Sequence, residues 1–272
     1  MRTPEEMKGL GRSATVAVVC GLTLFLAACT VTPGLTTARA EGVEWSNLSL
    51  DAALAGAEKT NCLVMIDVYS DHCGQCKVMD DDLWNTPKGA ELADGLIALR
   101  IASDKPEGIP LQRRYPIMGL PVVLFLRADG SEIDRIVGYR RASDFLEEAH
   151  AVKAEIDPLP EMEADLKANP NSLQLRLDVL EKYLYRKRET EAEALFQRLL
   201  ELDLGSNPRH AAKGLMFLAK YYAYFRQDAE KSQSLWRTLV EQMPNASAIT
   251  SGVMETYKYA NARGQLEQWR EW

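Results

Sequence analysis

Asp71-His72-Cys73-Gly74-Gln75-Cys76-Lys77 follows directly on the apolar run Leu63-Val64-Met65-Ile66-Asp67-Val68-Tyr69 and Ser70, and the junction of the two stretches decides the fold. Two cysteines separated by two residues, just after a strand-like run, read first as a redox pair. If a helix opens at the cysteines, the amides of its first turn and its dipole favour a thiolate on Cys73, the attacking sulfur. Cys76, one turn further in, is then shielded from solvent and close enough to resolve a mixed disulfide by intramolecular attack. Half of a zinc site has the same spacing. A tetrahedral site needs four ligands, and beyond the pair only Cys62, His72, His150 and His210 offer sulfur or nitrogen, none as a second close pair. No metal and no cofactor are expected. His72 precedes the pair, so the c-type haem attachment pattern is absent as well.

Working outward, Ser49 can cap a helix running to Lys59 whose Leu50, Ala53, Leu54 and Ala57 share one face. Cys62 to Tyr69 is nearly all apolar, as a strand covered on both faces must be, and only Asp67 interrupts it. A helix from Cys73 to about Asn85 is predicted next, with Met79, Leu83 and Trp84 inward, then a short helix opened by Thr86-Pro87. Leu96 to Ile101 reads as a strand, and Ile109 to Tyr115 as a helix in a polar, proline-bearing stretch. Val122 to Leu126 and Ile133 to Gly138 are apolar runs joined through Asp129-Gly130, a hairpin signal. Phe145, Leu146, Ala149, Val152 and Ile156 recur at helical spacing after Ser143.

The stretch from Met65 to Lys77, with Tyr115-Pro116-Ile117-Met118-Gly119-Leu120-Pro121-Val122-Val123-Leu124-Phe125 far downstream, resembles a thioredoxin domain. It is most similar to the C-terminal periplasmic domain of the DsbD electron-transfer family. The resemblance covers residues 43–156 and implies an α/β thioredoxin fold, thiol–disulfide oxidoreductase activity and protein thiols or disulfides as partners. It also implies that Asp67, six residues before Cys73, is the buried carboxylate beneath the disulfide, taking the proton from Cys76 as that sulfur attacks. Pro121 matches the family's cis proline, with Leu120 offering free backbone groups to an extended substrate, and Gly138 falls in the third loop bordering the groove. Gly74 and Gln75, between the cysteines, complete the expected substrate-facing set with His72. His72 stands where most relatives carry tryptophan. As imidazolium it would help hold the Cys73 thiolate, and as a solvated side chain it would be inert.

Asp157-Pro158-Leu159-Pro160 breaks the pattern and marks a boundary. Beyond it, over 161–272, the sequence is helical in character and repeats itself. Leu177-x-x-Leu180-x-Lys182-Tyr183 returns as Leu215-x-x-Leu218-x-Lys220-Tyr221, and Leu195-Phe196-Gln197-Arg198-Leu199 returns as Leu235-Trp236-Arg237-Thr238-Leu239. Pro170, Pro208 and Pro244 fall 38 and 36 residues apart. This resembles a tetratricopeptide array, with generic helical hairpins as the other reading. Ser247 to Ala260 would begin a third unit. The aromatic positions Tyr183, Tyr185, Phe196, Tyr221, Tyr222, Tyr224, Phe225 and Trp236 read as hairpin core, with some available to line a peptide-binding face.

The first 28 residues read as an export signal: Arg2, Lys8 and Arg12 precede an apolar segment from Ala14 to Ala28, short for a permanent membrane span. Leu26-Ala27-Ala28-Cys29 resembles a lipobox, so Cys29 is the expected lipidation site, with 29–42 as a tether. Cleavage after Ala38-Arg39-Ala40 is the competing reading, and an uncleaved anchor the third. Export would suit the chemistry, because disulfides persist outside the cytosol. Cys62, at the start of an apolar strand, reads as a buried small hydrophobe.

A length of 272 residues allows two compact units, and 46% hydrophobic residues suffice for their cores. A formal charge of −7 with no basic cluster gives no footprint for nucleic acid. The expected protein is an exported, periplasmic, lipid-anchored oxidoreductase, a reductase of protein disulfides, whose helical repeats dock a partner. The alternatives are a lipoprotein scaffold in which the repeats are the function and the redox pair is structural, and a handler of thiophilic metal through Cys73, Cys76 and His72.

Overall fold

The computed structural model describes residues 41–203 and 208–243; the expected export signal 1–28, Cys29, nearly all of the expected tether and the expected third helical unit lie outside the described residues. The centre is a four-stranded sheet of order β2-β1-β3-β4. Strand β1 (Val64–Tyr69) runs parallel to β2 (Ile97–Ala102) and antiparallel to β3 (Val122–Leu126), and β4 (Glu132–Val137) closes the sheet as the antiparallel neighbour of β3. Alternation along β1 sends Val64, Ile66 and Val68 into one core layer with Leu54, Leu99, Leu111 and Leu124. Met65 goes to the other, with Met79, Trp84, Phe125 and Phe145, and Asp67 shares its face.

Helices cover both layers in the expected order. Helix α1 (Leu50–Thr60) is capped by the Ser49 side chain, which accepts from the Ala52 N–H. The cysteine helix α2 (Gly74–Met79) does not run straight to Asn85 but continues as a π-helical turn, Asp80–Trp84, that places Leu83 and Trp84 in the core. Trp84 meets Trp45 and Phe145 edge-on, with ring centroids 5.4 and 5.5 Å away. Helix α3 (Pro87–Ala93) starts on proline with Thr86 as its cap, α4 (Gly108–Arg114) precedes the proline loop, and α5 (Ala142–Lys153) closes the α/β part.

Among the described residues five helices follow: α6 (Leu159–Ala168), α7 (Leu173–Tyr185), α8 (Glu189–Leu202), α9 (Arg209–Tyr221), prolonged by a π turn over Tyr222–Arg226, and α10 (Ala229–Gln242). The proline stretch read as the boundary already reaches into this region. Helix α6 starts at Leu159, and Pro160 sits in its first turn, where a missing N–H costs nothing. The segments similar in sequence fall on α7 and α9, and on α8 and α10. Phe196, Tyr221 and Trp236 are buried between these helices, while Tyr221 and Tyr222 donate their hydroxyls to Glu189 and Glu193, each at 2.7 Å. Among the described residues no helix is long and apolar enough to cross a membrane.

The helical region is seated on the edge strand β4. Asp134 and Arg135, each 1% exposed, were hidden inside what reads as an apolar run. Asp134 accepts from Lys182 at 2.6 Å and lies 3.5 Å from Arg186, which also donates to the Ile133 carbonyl at 2.7 Å. Arg135 pairs with Glu132, donates to the Pro116 carbonyl and stacks on the Tyr185 ring, 4.2 Å from its centroid. Met118 and Val137 pack into the core of the helical region. An open edge strand invites pairing with other chains, and this one is occupied. Removing one partner of a buried ion pair strands the other, so Asp134→Ala is expected to cost about 3 kcal/mol in a urea titration. A loss below about 1 kcal/mol would mean that solvent serves Lys182 and that Asp157, 3.0 Å from Arg186, suffices for the guanidinium.

Candidate active site

Strand β1 delivers the chain to a tight turn in which the Cys73 N–H donates to the Ser70 carbonyl at 3.0 Å. Ser70 is itself held, its hydroxyl donating to Asp104 at 2.6 Å and accepting from the His72 N–H at 3.2 Å. Cys73 is the N-cap of α2, and its sulfur accepts from the Cys76 N–H at 3.1 Å, the position in which a thiolate would be stabilised by the helix start. Cys73 and Cys76 are joined as a disulfide with their Cα atoms 5.3 Å apart. Cys73 is half-buried and Cys76 is 3% exposed. One sulfur faces solvent in part, and the other is within reach of its Cys73 neighbour alone.

The peptide between Leu120 and Pro121 is cis. Val68 lies opposite Val122 in the sheet register, so Pro121 emerges at the end of the sheet where β1 hands over to the cysteine turn. Gly138, at φ +79, donates its N–H to the Pro121 carbonyl at 2.8 Å, a backbone shape that favours glycine. A Cβ added at Gly74, Gly119 or Gly138 would meet nothing within 4 Å, so the surface around the pair is open to an approaching chain. Leu120 is half-buried, and His72, Gly74 and Gln75 are exposed. Tyr139 donates its hydroxyl to Asp82, tying the third loop to the turn that follows α2.

Asp67 is 1% exposed on the face of β1 that α2 covers. Burial pushes its carboxyl up to about 7, the Arg100 guanidinium and the Trp84 side chain pull it back, and Asp80 adds to the rise. Arg100, directly opposite Asp67 in the β1–β2 register, has its Nε 3.1 Å from Asp67 and an Nη 2.5 Å from Asp80. Its guanidinium lies 4.4 Å from the Tyr69 ring centroid and 5.8 Å from that of Trp45. One cation thus serves two carboxylates, and the buried one keeps a proton affinity suited to exchange near neutral pH.

The family model described as Thioredoxin-like matches residues 44–128. This part of the chain is a thioredoxin-like domain. The thiol:disulfide interchange protein DsbD of Pseudomonas fluorescens is 33% identical over 106 residues, covering 38% of this chain and 18% of that protein. DsbD of Tatumella citrea is 27% identical over 130 residues, 46% of this chain and 22% of its own. The chain thus spans about a fifth of the length of these curated relatives. Among solved structures, a thioredoxin from Thermus thermophilus is similar at 28% identity and a TM-score of 0.38, covering 43% of this chain and 92% of that one. The oxidised C-terminal domain of Neisseria meningitidis DsbD is similar at 25% identity and a TM-score of 0.33, over 40% and 97%.

In the thioredoxin-like domain the expected residues Cys73, Cys76, Asp67, Leu120, Pro121 and Gly138 gather at one end of the sheet, with His72, Gly74 and Gln75 on its surface. The lipidation site Cys29 lies outside the described residues. Arg100, Asp80 and the Tyr139–Asp82 tie were missed. Arg100 had a signal: a charged residue inside the Leu96–Ile101 run, on a strand next to the one interrupted by Asp67. Cys62 is buried, its sulfur 3.6 Å from the Thr60 carbonyl oxygen.

Proposed function

We propose that this protein is an exported thiol–disulfide oxidoreductase that reduces disulfides of other proteins. The observation that carries the reading is the asymmetric Cys73–Cys76 pair, one sulfur accessible at a helix start and the other buried, beside the Leu120–Pro121 loop. In the reduced protein the Cys73 thiolate attacks one sulfur of a client disulfide, forming a mixed disulfide and releasing the client's other sulfur as a thiolate. Cys76 gives its proton to the Asp67 carboxylate and attacks the Cys73 sulfur. The second client thiol leaves, the client has gained two electrons, and the pair is left as the disulfide. A dithiol donor must then reduce the pair for another round. Leu120 and Gly138 hold the client backbone as a short added strand, and His72, Gly74 and Gln75 meet its surface.

The helical region reads as tetratricopeptide-like repeats that dock the partner, and Cys29 as the lipidated residue that keeps the enzyme at the periplasmic face of a membrane. The reduction potential tests the direction of electron flow, since 30 mV corresponds to about 1.4 kcal/mol of relative thiolate and disulfide stability. Equilibration of the pair with glutathione or dithiothreitol buffers is expected to give a value nearer the roughly −270 mV of a reductant than the roughly −120 mV of a strong oxidant. A value at the oxidising end would reverse the direction, and a pair that never reduces would leave the scaffold reading.

A further inference from the structure

The seating of the helices on β4 leaves a cleft of about 540 Å³ between α5 and β4 on one side and α6, α7 and α9 on the other. That size falls in the range of roughly 300–1,000 Å³ typical of sites that enclose a ligand. Its near wall is the third loop itself. Val137 and Arg140 line it, and they flank Gly138, whose N–H is bonded to the Pro121 carbonyl. The cleft therefore begins one residue from the Gly138 N–H that holds the Pro121 carbonyl.

Most charges around the cleft have a partner of their own, Asp178 accepting from Gln174 at 2.7 Å, and Lys213 lies over the Phe217 ring, 5.5 Å from its centroid. Arg140 pairs with Glu148, Lys182 with Asp134 at 2.6 Å, and Glu181 accepts from the Tyr185 hydroxyl at 2.9 Å. The lining also presents three half-buried apolar side chains, Val137 from the end of β4, Met162 from α6 and Phe217 from α9. The charges that are paired select no sign of ligand, whereas half-buried apolar surface gains from being covered, by roughly 25 cal/mol for each Å² removed from water.

We infer that this cleft is a specificity subsite for the client polypeptide, taking a large apolar side chain a few residues from the client cysteine. The inference rests on the oxidoreductase reading and adds what that reading lacks, a reason for the helical region to be fixed against β4. The occupant is an extended polypeptide, since only a chain already held at Leu120 and Gly138 reaches both places. A small disulfide engages the sulfur pair alone.

The test uses the full chain and synthetic peptides of about ten residues, each with one internal disulfide and with leucine or serine at successive positions on either side of a cysteine. At one position leucine is expected to raise kcat/KM about tenfold over serine, the effect of some 1.4 kcal/mol. Met162→Glu and Phe217→Ser are each expected to erase that preference, while circular dichroism shows both folded. Met162 is the decisive position if Phe217→Ser proves unstable. Wild type that reduces the peptides with no leucine preference, or variants that keep it, would overturn the subsite and leave the oxidoreductase standing. Wild type that reduces neither the peptides nor the small disulfide 5,5′-dithiobis(2-nitrobenzoate) would overturn both.

Discussion

Cys73→Ser is expected to bring polypeptide disulfide reduction down to the uncatalysed background, whereas Cys76→Ser should complete one half-reaction and stop. The asymmetry follows from where each sulfur sits. Cys73 is half-buried at the start of α2, where an N–H of the first turn points at its sulfur. A client disulfide reaches it, and a hydroxyl in its place has neither the acidity nor the nucleophilicity to replace it. Cys76 is 3% exposed, so no client reaches it directly, and it acts only on the Cys73 sulfur of a mixed disulfide. With serine at 76 that intermediate has no resolving thiol, and it should accumulate as a covalent adduct visible by mass spectrometry and lost on adding dithiothreitol. Turnover by Cys73→Ser near the wild-type rate would remove the enzyme reading and leave the helical region as the functional part. Continued turnover by Cys76→Ser would mean that an external thiol resolves the intermediate.

The residues behind this experiment were legible because each carries its signal along the chain. The cysteine spacing, the apolar run before it and the Gly119-Leu120-Pro121 segment are local patterns, and local patterns fixed the strands to within two residues. What escaped reading is pairing between polar groups far apart in sequence. Asp134 and Arg135 sit in a run that alternates like any buried strand, and nothing nearby shows that Lys182, Tyr185 and Arg186 will meet them. The proline stretch at 157–160 has the composition of a linker, yet proline is equally at home in the first turn of a helix, and only packing decides between the two. The π turn at Asp80–Trp84 has the same origin. Burying both Leu83 and Trp84 under the sheet matters more than continuing the regular ladder of α2.

Asp67→Asn is expected to make the protein more stable above neutral pH and a poorer catalyst. Asp67 has a folded-state pKa of about 7 against an ordinary value of 3.8. Between those two values the native protein holds a proton that the unfolded chain has released, so stability declines as pH rises from about 4 to about 7 and is level beyond. A shift of about three units corresponds to an order of 4 kcal/mol, the cost of carrying the buried carboxylate charged at pH 8. Asparagine never bears that charge, and Arg100 keeps Asp80 at 2.5 Å as its partner. Urea titrations should therefore show the variant gaining up to about 4 kcal/mol at pH 8 and almost nothing at pH 3. The same change removes the acceptor for the Cys76 proton. Resolution at pH 7 should slow by roughly a hundredfold or more, the usual worth of a placed base, with mixed disulfide building up as in Cys76→Ser. A carboxylate that merely tied off the end of β1 would behave in the opposite way, its loss lowering stability at every pH and leaving resolution untouched. If the difference in stability between variant and wild type is flat from pH 4 to pH 8, Asp67 is not the buried proton acceptor, and the Cys76 proton leaves by another route.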